Sequence, residues 1–132
     1  ASRNDSVNAI ISISAFGHHE WVITRYWQRL FFPKWLARGL NRYVEWLIGN
    51  RFVDIAPIHT ITQVKCPVLL VHGLTDTVVP IADARAIVQA GLNAQRTIQL
   101  CEIADADHAS VDKIDAHQDT LIQFLHVTGF QQ

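Results

Sequence analysis

Cys66-Pro67-Val68-Leu69-Leu70-Val71-His72-Gly73-Leu74-Thr75-Asp76-Thr77-Val78-Val79-Pro80 is the stretch that decides the fold. Its first half is a short run of valine and leucine bounded by Pro67 and Gly73, the pattern of a strand covered on both faces. Its second half is a short polar loop, and beyond Pro80 the apolar period changes. Ile81, Ala84, Ile87, Val88 and Leu92 recur at helical spacing, with Pro80 near the start and Gly91 to Asn93 at the end.

The same alternation appears on both sides. Val7 to Ala15 is a β-branched run closed by Gly17, read as a first strand buried on both faces. Thr97 to Ile103 is a third strand with more polar alternation, as at a sheet edge. After it, Val111, Ile114, Leu121, Ile122 and Leu125 fall at helical spacing, with Ser110 as N-cap and Gly129 as stop. Strand, helix, strand, helix implies an α/β architecture of parallel strands with right-handed crossovers.

Between the first two strands lies a segment of different character. Residues 21–48 hold all four tryptophans and both tyrosines, with Phe31 and Phe32, and Pro33 splits the stretch into two helical parts. Arg25, Arg29, Lys34, Arg38, Arg42 and Arg51 are interleaved with them. Basic residues among aromatics suit a single-stranded nucleic-acid platform. Tryptophan and leucine at helical spacing more often pack as core, however, and arginine stems cover apolar surface. The reading adopted is a helical cap insertion over residues 18–63, in which Pro57 opens a short helix from Ile58 to Val64.

Composition bounds the rest. With 132 residues, 49% hydrophobic and 17% charged, the chain is one apolar, charge-poor domain, well below the roughly 25% charged residues of average domains. Eleven Lys and Arg against twelve Asp and Glu leave a net charge of -1 without charge runs, so neither a nucleic-acid nor a membrane partner is expected. No apolar stretch approaches the ~20 residues of a bilayer span, and a soluble, cytoplasmic protein is expected. Cys66 and Cys101 lack metal-type spacing and are expected to be reduced, buried thiols. No cofactor motif is found, and none is expected.

Ligands of parallel sheets gather at the carboxyl ends of the strands. Three segments lie there: Phe16 to Glu20, His72 to Pro80, and Ala104 to Ser110. Asp76 and His108 thus follow adjacent strands, near enough for a carboxylate to orient an imidazole, as in a general base serving a hydroxyl nucleophile. Asp76 equally suits the cap of a turn. His18, His19 and Glu20 are weighed as metal ligands and set aside for want of a third suitably spaced ligand, and Asp105 and Asp107 are read as solvated loop acids. Ser14 is the best placed substitute nucleophile, but without a tight strand-to-helix turn it reads as a buried hydroxyl.

Cys66 to Gly73, followed by Asp76 and by Val79-Pro80, resembles the strand and loop that carry the catalytic acid in α/β-hydrolases. Phe52 to Pro57 is similar to esterase and peptidase-like members with a helical cap. The resemblance runs from Val7 to about Leu125 and implies that Asp76 is the acid and His108 the base, in the family's order of nucleophile, acid, base. It also implies an ester, thioester or amide substrate. The G-x-S-x-G nucleophile elbow is absent: none of Ser2, Ser6, Ser12, Ser14 and Ser110 has glycines two before and two after.

In family terms the first strand follows the elbow helix. The expectation is therefore a partial α/β-hydrolase fold, the latter half of the family's domain, retaining three strands, the cap and two helices and inactive by itself. Its first strand would then expose an edge with neither charge nor proline to protect it. A covering partner is expected, either a second copy paired through Val7 to Ala15 about a two-fold axis or a separate chain carrying the missing half. A stand-alone dimeric binding protein, with an apolar pocket under the aromatic cap, is the alternative reading.

Overall fold

The computed structural model describes residues 7–18, 21–23, 25–26, 33–108, 110, 113 and 116–128. The expectations for His19, Glu20, Trp27, Arg29, Phe31, Phe32, Val111, Ile114 and Gly129 lie outside the described residues. Three parallel strands form one sheet in the order β1 (Ile10–Ile13), β2 (Val68–Gly73), β3 (Ile98–Ile103). Register aligns Ile10 with Val68 and Val68 with Ile98. Because β2 is paired on both sides, every one of its residues is buried.

The period of two in β2 builds two cores. Val68 and Leu70 face Ile61, Val64, Ala84, Ile87 and Ile98, whereas Leu69 and Val71 face Ile103, Ala106 and Phe124. Ala84 and Ile87 belong to α4 (Ile81–Asn93), and Phe124 belongs to α5 (Gln118–Val127). The sheet is thus covered by a helix on each face. Gly91, read as an end signal, lies inside α4: a Cβ there would come 3.0 Å from Ile98 Cγ2, so the missing side chain lets helix and strand approach.

One strand boundary differs from expectation. β1 is short and only half-buried, and Ile13 is 50% exposed, because the strand has a β partner on one side alone among the described residues. It stops where Ser14 adopts a left-handed φ of 51°. At the other end, the Ser110 hydroxyl donates to Asp107 Oδ1 at 2.7 Å and accepts from the Asp107 N–H at 3.0 Å, while residues 111 and 112, where the expected helix would start, lie outside the described residues. A short side chain beside free backbone groups takes the local bond first.

The segment between β1 and β2 is helical, as expected. Residues 21–23 and 25–26 have helical backbone. They precede α1 (Lys34–Ile48), α2 (Phe52–Ile55), α3 (Pro57–Thr60) and a 3₁₀ turn at Ile61–Gln63. Pro33 starts α1 from an extended conformation, and Gly49 ends it at φ 68°. Glu45 Oε1 accepts from the Phe52 N–H at 2.8 Å, which satisfies a free donor at the start of α2. The segment is tied to the sheet at two points. The Ile58 N–H donates to Gly17 O at 3.2 Å. Arg25 Nη2 lies 2.6 Å from Oδ1 of the buried Asp83 in the first turn of α4, whose Oδ2 accepts from the Gly17 N–H at 3.4 Å.

The aromatic residues of α1 are not core. Trp35 is 72% and Trp46 76% exposed, and Leu36, Leu40, Tyr43 and Leu47 are exposed as well. Ala37, Asn41 and Val44 form the better covered side, so helical spacing produced an apolar stripe that no described element covers. Cys66 and Cys101 are free, half-buried thiols, and burial pushes the Cys101 thiol up from its ordinary pKa. No described helix is long and apolar enough to cross a membrane.

Candidate active site

The loops after β2 and β3 close onto each other through the backbone. The Leu74 N–H donates to Ile103 O at 2.9 Å, and the Thr75 N–H to Ala106 O at 3.1 Å. Thr75 Oγ1 reinforces the second bond at 2.7 Å. Gly73 makes this possible, since a Cβ there would lie 2.1 Å from Ala106 O. Asp76 and His108 come one and two residues beyond the Thr75–Ala106 bond, so the clamp sets their separation.

His108 Nδ1 lies 2.9 Å from Asp76 Oδ2. The Asp76 side chain has no exposed surface, whereas that of His108 is 45% exposed. The other carboxylate oxygen, Oδ1, accepts from the N–H groups of Val78 and Val79, each at 2.8 Å. Asp76 thus caps the turn with one oxygen and faces the histidine with the other. Burial alone pushes this carboxyl up. The Val79 N–H, the His108 ring and the Val78 N–H outweigh it and hold Asp76 below the usual carboxylate range.

Chemically, a carboxylate on Nδ1 fixes which ring nitrogen carries the proton and leaves Nε2 free to accept one. His108 borders a small cavity with Ser14, His72, Gly73 and Ser110. Ser14 is half-buried at the end of β1, its N–H donating to Val71 O at 2.9 Å, and its hydroxyl makes no hydrogen bond to His108. Asp105 and Asp107 are exposed. The Asp105 carbonyl accepts from Lys113 Nζ, and the Asp107 carboxylate is engaged by Ser110.

His18 packs beside Trp21 and edge-on to His59, with centroids 5.8 and 6.0 Å apart. Among the described residues no three His, Cys, Asp or Glu side chains converge on a metal position. The cavity at the end of α1 is lined by Arg42, Glu45, Trp46, Gly49, Asn50 and Arg51. Two residues of the site lie in the segment singled out in sequence but were given no role there. Thr75 clamps the loops, and His72 sits fully buried beside Asp76, its Nε2 2.7 Å from Val79 O and 3.6 Å from Asp76 Oδ2. Their only signal was position, immediately before Asp76 and one residue before Gly73.

Comparison with known proteins agrees with this architecture. Esterase LipC of Mycobacterium tuberculosis is 30% identical over 84 residues, which cover 64% of this chain and 20% of LipC. The acylaminoacyl peptidase of Pyrococcus horikoshii superposes with a TM-score of 0.68 at 16% identity, over 95% of this chain and 20% of that one. A puromycin-hydrolyzing peptidase of Mycobacterium tuberculosis does so with a TM-score of 0.69 at 18% identity, over 98% and 20%. The chain thus spans about a fifth of the length of each, and the two structural likenesses establish a shared fold, that of part of an α/β-hydrolase. The profile of the prolyl oligopeptidase family matches residues 11–130, nearly the whole sequence, and the chain belongs to that family.

Proposed function

We propose that this chain carries the acid and base of a Ser-Asp-His triad for acyl-bond hydrolysis, Asp76 as acid and His108 as base, and that it holds no nucleophile of its own. The observation that carries the reading is the 2.9 Å contact between His108 Nδ1 and the fully buried Asp76 carboxylate. In that arrangement His108 Nε2 takes the proton of an attacking hydroxyl, and Asp76 stabilises the imidazolium that results. Relatives that are an esterase, an acylaminoacyl peptidase and a puromycin-hydrolyzing peptidase support ester, thioester or amide bonds as the substrate class.

Hydrolysis of a short-chain nitrophenyl ester tests it. The 132-residue chain is expected to show no turnover beyond that of its His108→Ala variant. Turnover abolished by His108→Ala would mean that the chain supplies a nucleophile after all. In a longer gene product that includes an upstream G-x-S-x-G segment, His108→Ala is expected to reduce ester hydrolysis by about 10³-fold or more. Undiminished activity there overturns the assignment of His108.

The edge of β1 supports a second element of the reading, a partner strand. Among the described residues Ile10 to Ile13 pair with β2 on one side only, and Ile13 is 50% exposed. Open backbone groups next to apolar side chains favour pairing with another strand. A second copy, antiparallel about a two-fold axis, would extend the sheet across two subunits. Light scattering on the purified chain is expected to return twice the chain mass, and a monomer at micromolar concentration contradicts the pairing.

A further inference from the structure

We infer that His72 is a positioning residue for Asp76, anchoring through the Val79 carbonyl the loop that aims the carboxylate at His108. The inference rests on the proposed role of Asp76 for its catalytic meaning, while its geometry stands apart from that role. His72 is the penultimate residue of β2 and is 1% exposed. Its Nε2 lies 2.7 Å from Val79 O, and a carbonyl can only accept, so Nε2 carries the proton. Its Nδ1 is buried without a hydrogen-bond partner, which leaves the ring a single anchor, the one at Val79.

Val79 is thereby fixed at both ends. Its carbonyl receives His72, and its N–H donates to Asp76 Oδ1 at 2.8 Å. Pro80 follows with φ -60°, which limits the freedom of the chain just beyond. With Oδ1 held by Val78 and Val79, the plane of the carboxylate is set, and Oδ2 is the atom left for His108. His72 Nε2 is also 3.6 Å from that Oδ2, too far for a hydrogen bond but near enough for its N–H dipole to face the negative charge. An aliphatic residue at 72 would fill the volume yet leave the carbonyl of Val79, itself 2% exposed, without a donor.

Isotope-edited NMR on the whole chain tests this with readouts that a purely space-filling role would not move. In the wild type, the ring nitrogens of His72 are expected to show a protonated Nε2 and a bare Nδ1. In His72→Leu, the carboxyl titration of Asp76 is expected to move up by about one pH unit, a tenfold change in acid dissociation, as the Val79 N–H loosens. His72→Gln, whose amide can again donate to Val79, is expected to restore the wild-type midpoint.

An unchanged Asp76 midpoint in His72→Leu overturns the inference, as does a wild-type His72 with its proton on Nδ1 alone. Should His72→Leu fail to fold, the wild-type tautomer and the His72→Gln midpoint decide the matter in the same directions. If the wild type instead lacks a His108 Nδ1–H bonded to Asp76, the acid-base reading fails while the anchoring of Val79 by His72 is still measured by its own tautomer.

Discussion

Gly73→Ala is expected to lower stability by about 3 kcal/mol, with a fall in Tm of roughly 10 °C, because the added methyl has no place to go. A Cβ at position 73 would sit 2.1 Å from the Ala106 carbonyl oxygen, 2.6 Å from its carbon and 3.0 Å from the Ala106 Cβ. Two of these three obstacles are backbone atoms. The oxygen cannot swing aside cheaply, since it accepts both the N–H and the hydroxyl of Thr75. Relief therefore requires the β2 and β3 loops to part, which separates Asp76 from His108 as well as loosening the fold. Gly39→Ala is the matched control: it lies in α1, where an added Cβ would meet no described atom within 4 Å, and alanine there is expected to be neutral or to stabilise by up to ~1 kcal/mol. Thermal melts of the two variants should diverge, and similar melts would show that the clamp does not limit stability.

How far the sequence leads can be followed residue by residue. β2 and α4 were legible because a buried strand and an amphipathic helix write different periods, and Pro67, Gly73 and Pro80 mark the joints between them. The pairing of Asp76 with His108 was legible for a topological reason, since loops after adjacent parallel strands emerge side by side. Other features depend on tertiary facts that no local pattern encodes. The apolar stripe of α1 announces a helix with a covered side, but spacing cannot say what covers it, and Trp35 and Trp46 stand exposed. Val7 to Ala15 reads as one long strand until the left-handed turn at Ser14 cuts it short. The role of His72 was invisible because that residue type fits a strand end, and the work is done by one ring nitrogen whose partner, seven residues on, is set by the fold of the loop.

Asp76→Asn is expected to have the largest effect on chemistry and a distinctive effect on stability. Asparagine keeps an oxygen for the N–H groups of Val78 and Val79, so the turn survives, but it turns an NH₂ toward His108. The ring must then present a bare Nδ1 and carry its proton on Nε2, the nitrogen that should receive one. In a longer product that bears a nucleophile, the expected loss of ester hydrolysis is about 10⁴-fold, with folding retained. Stability should respond to pH in one direction only. The folded-state pKa of Asp76 lies below its unfolded value, so its contribution is complete above the unfolded carboxylate pKa and is lost as pH falls through the lower, folded value. Urea unfolding from pH ~8 down to pH ~3 is therefore expected to show the wild type more stable than Asp76→Asn by about 1–2 kcal/mol at neutral pH. That advantage should shrink on the acid side. A gap that stays constant, or widens as pH falls, would mean that the Asp76 carboxylate is not held in its charged form by Val78, Val79 and His108.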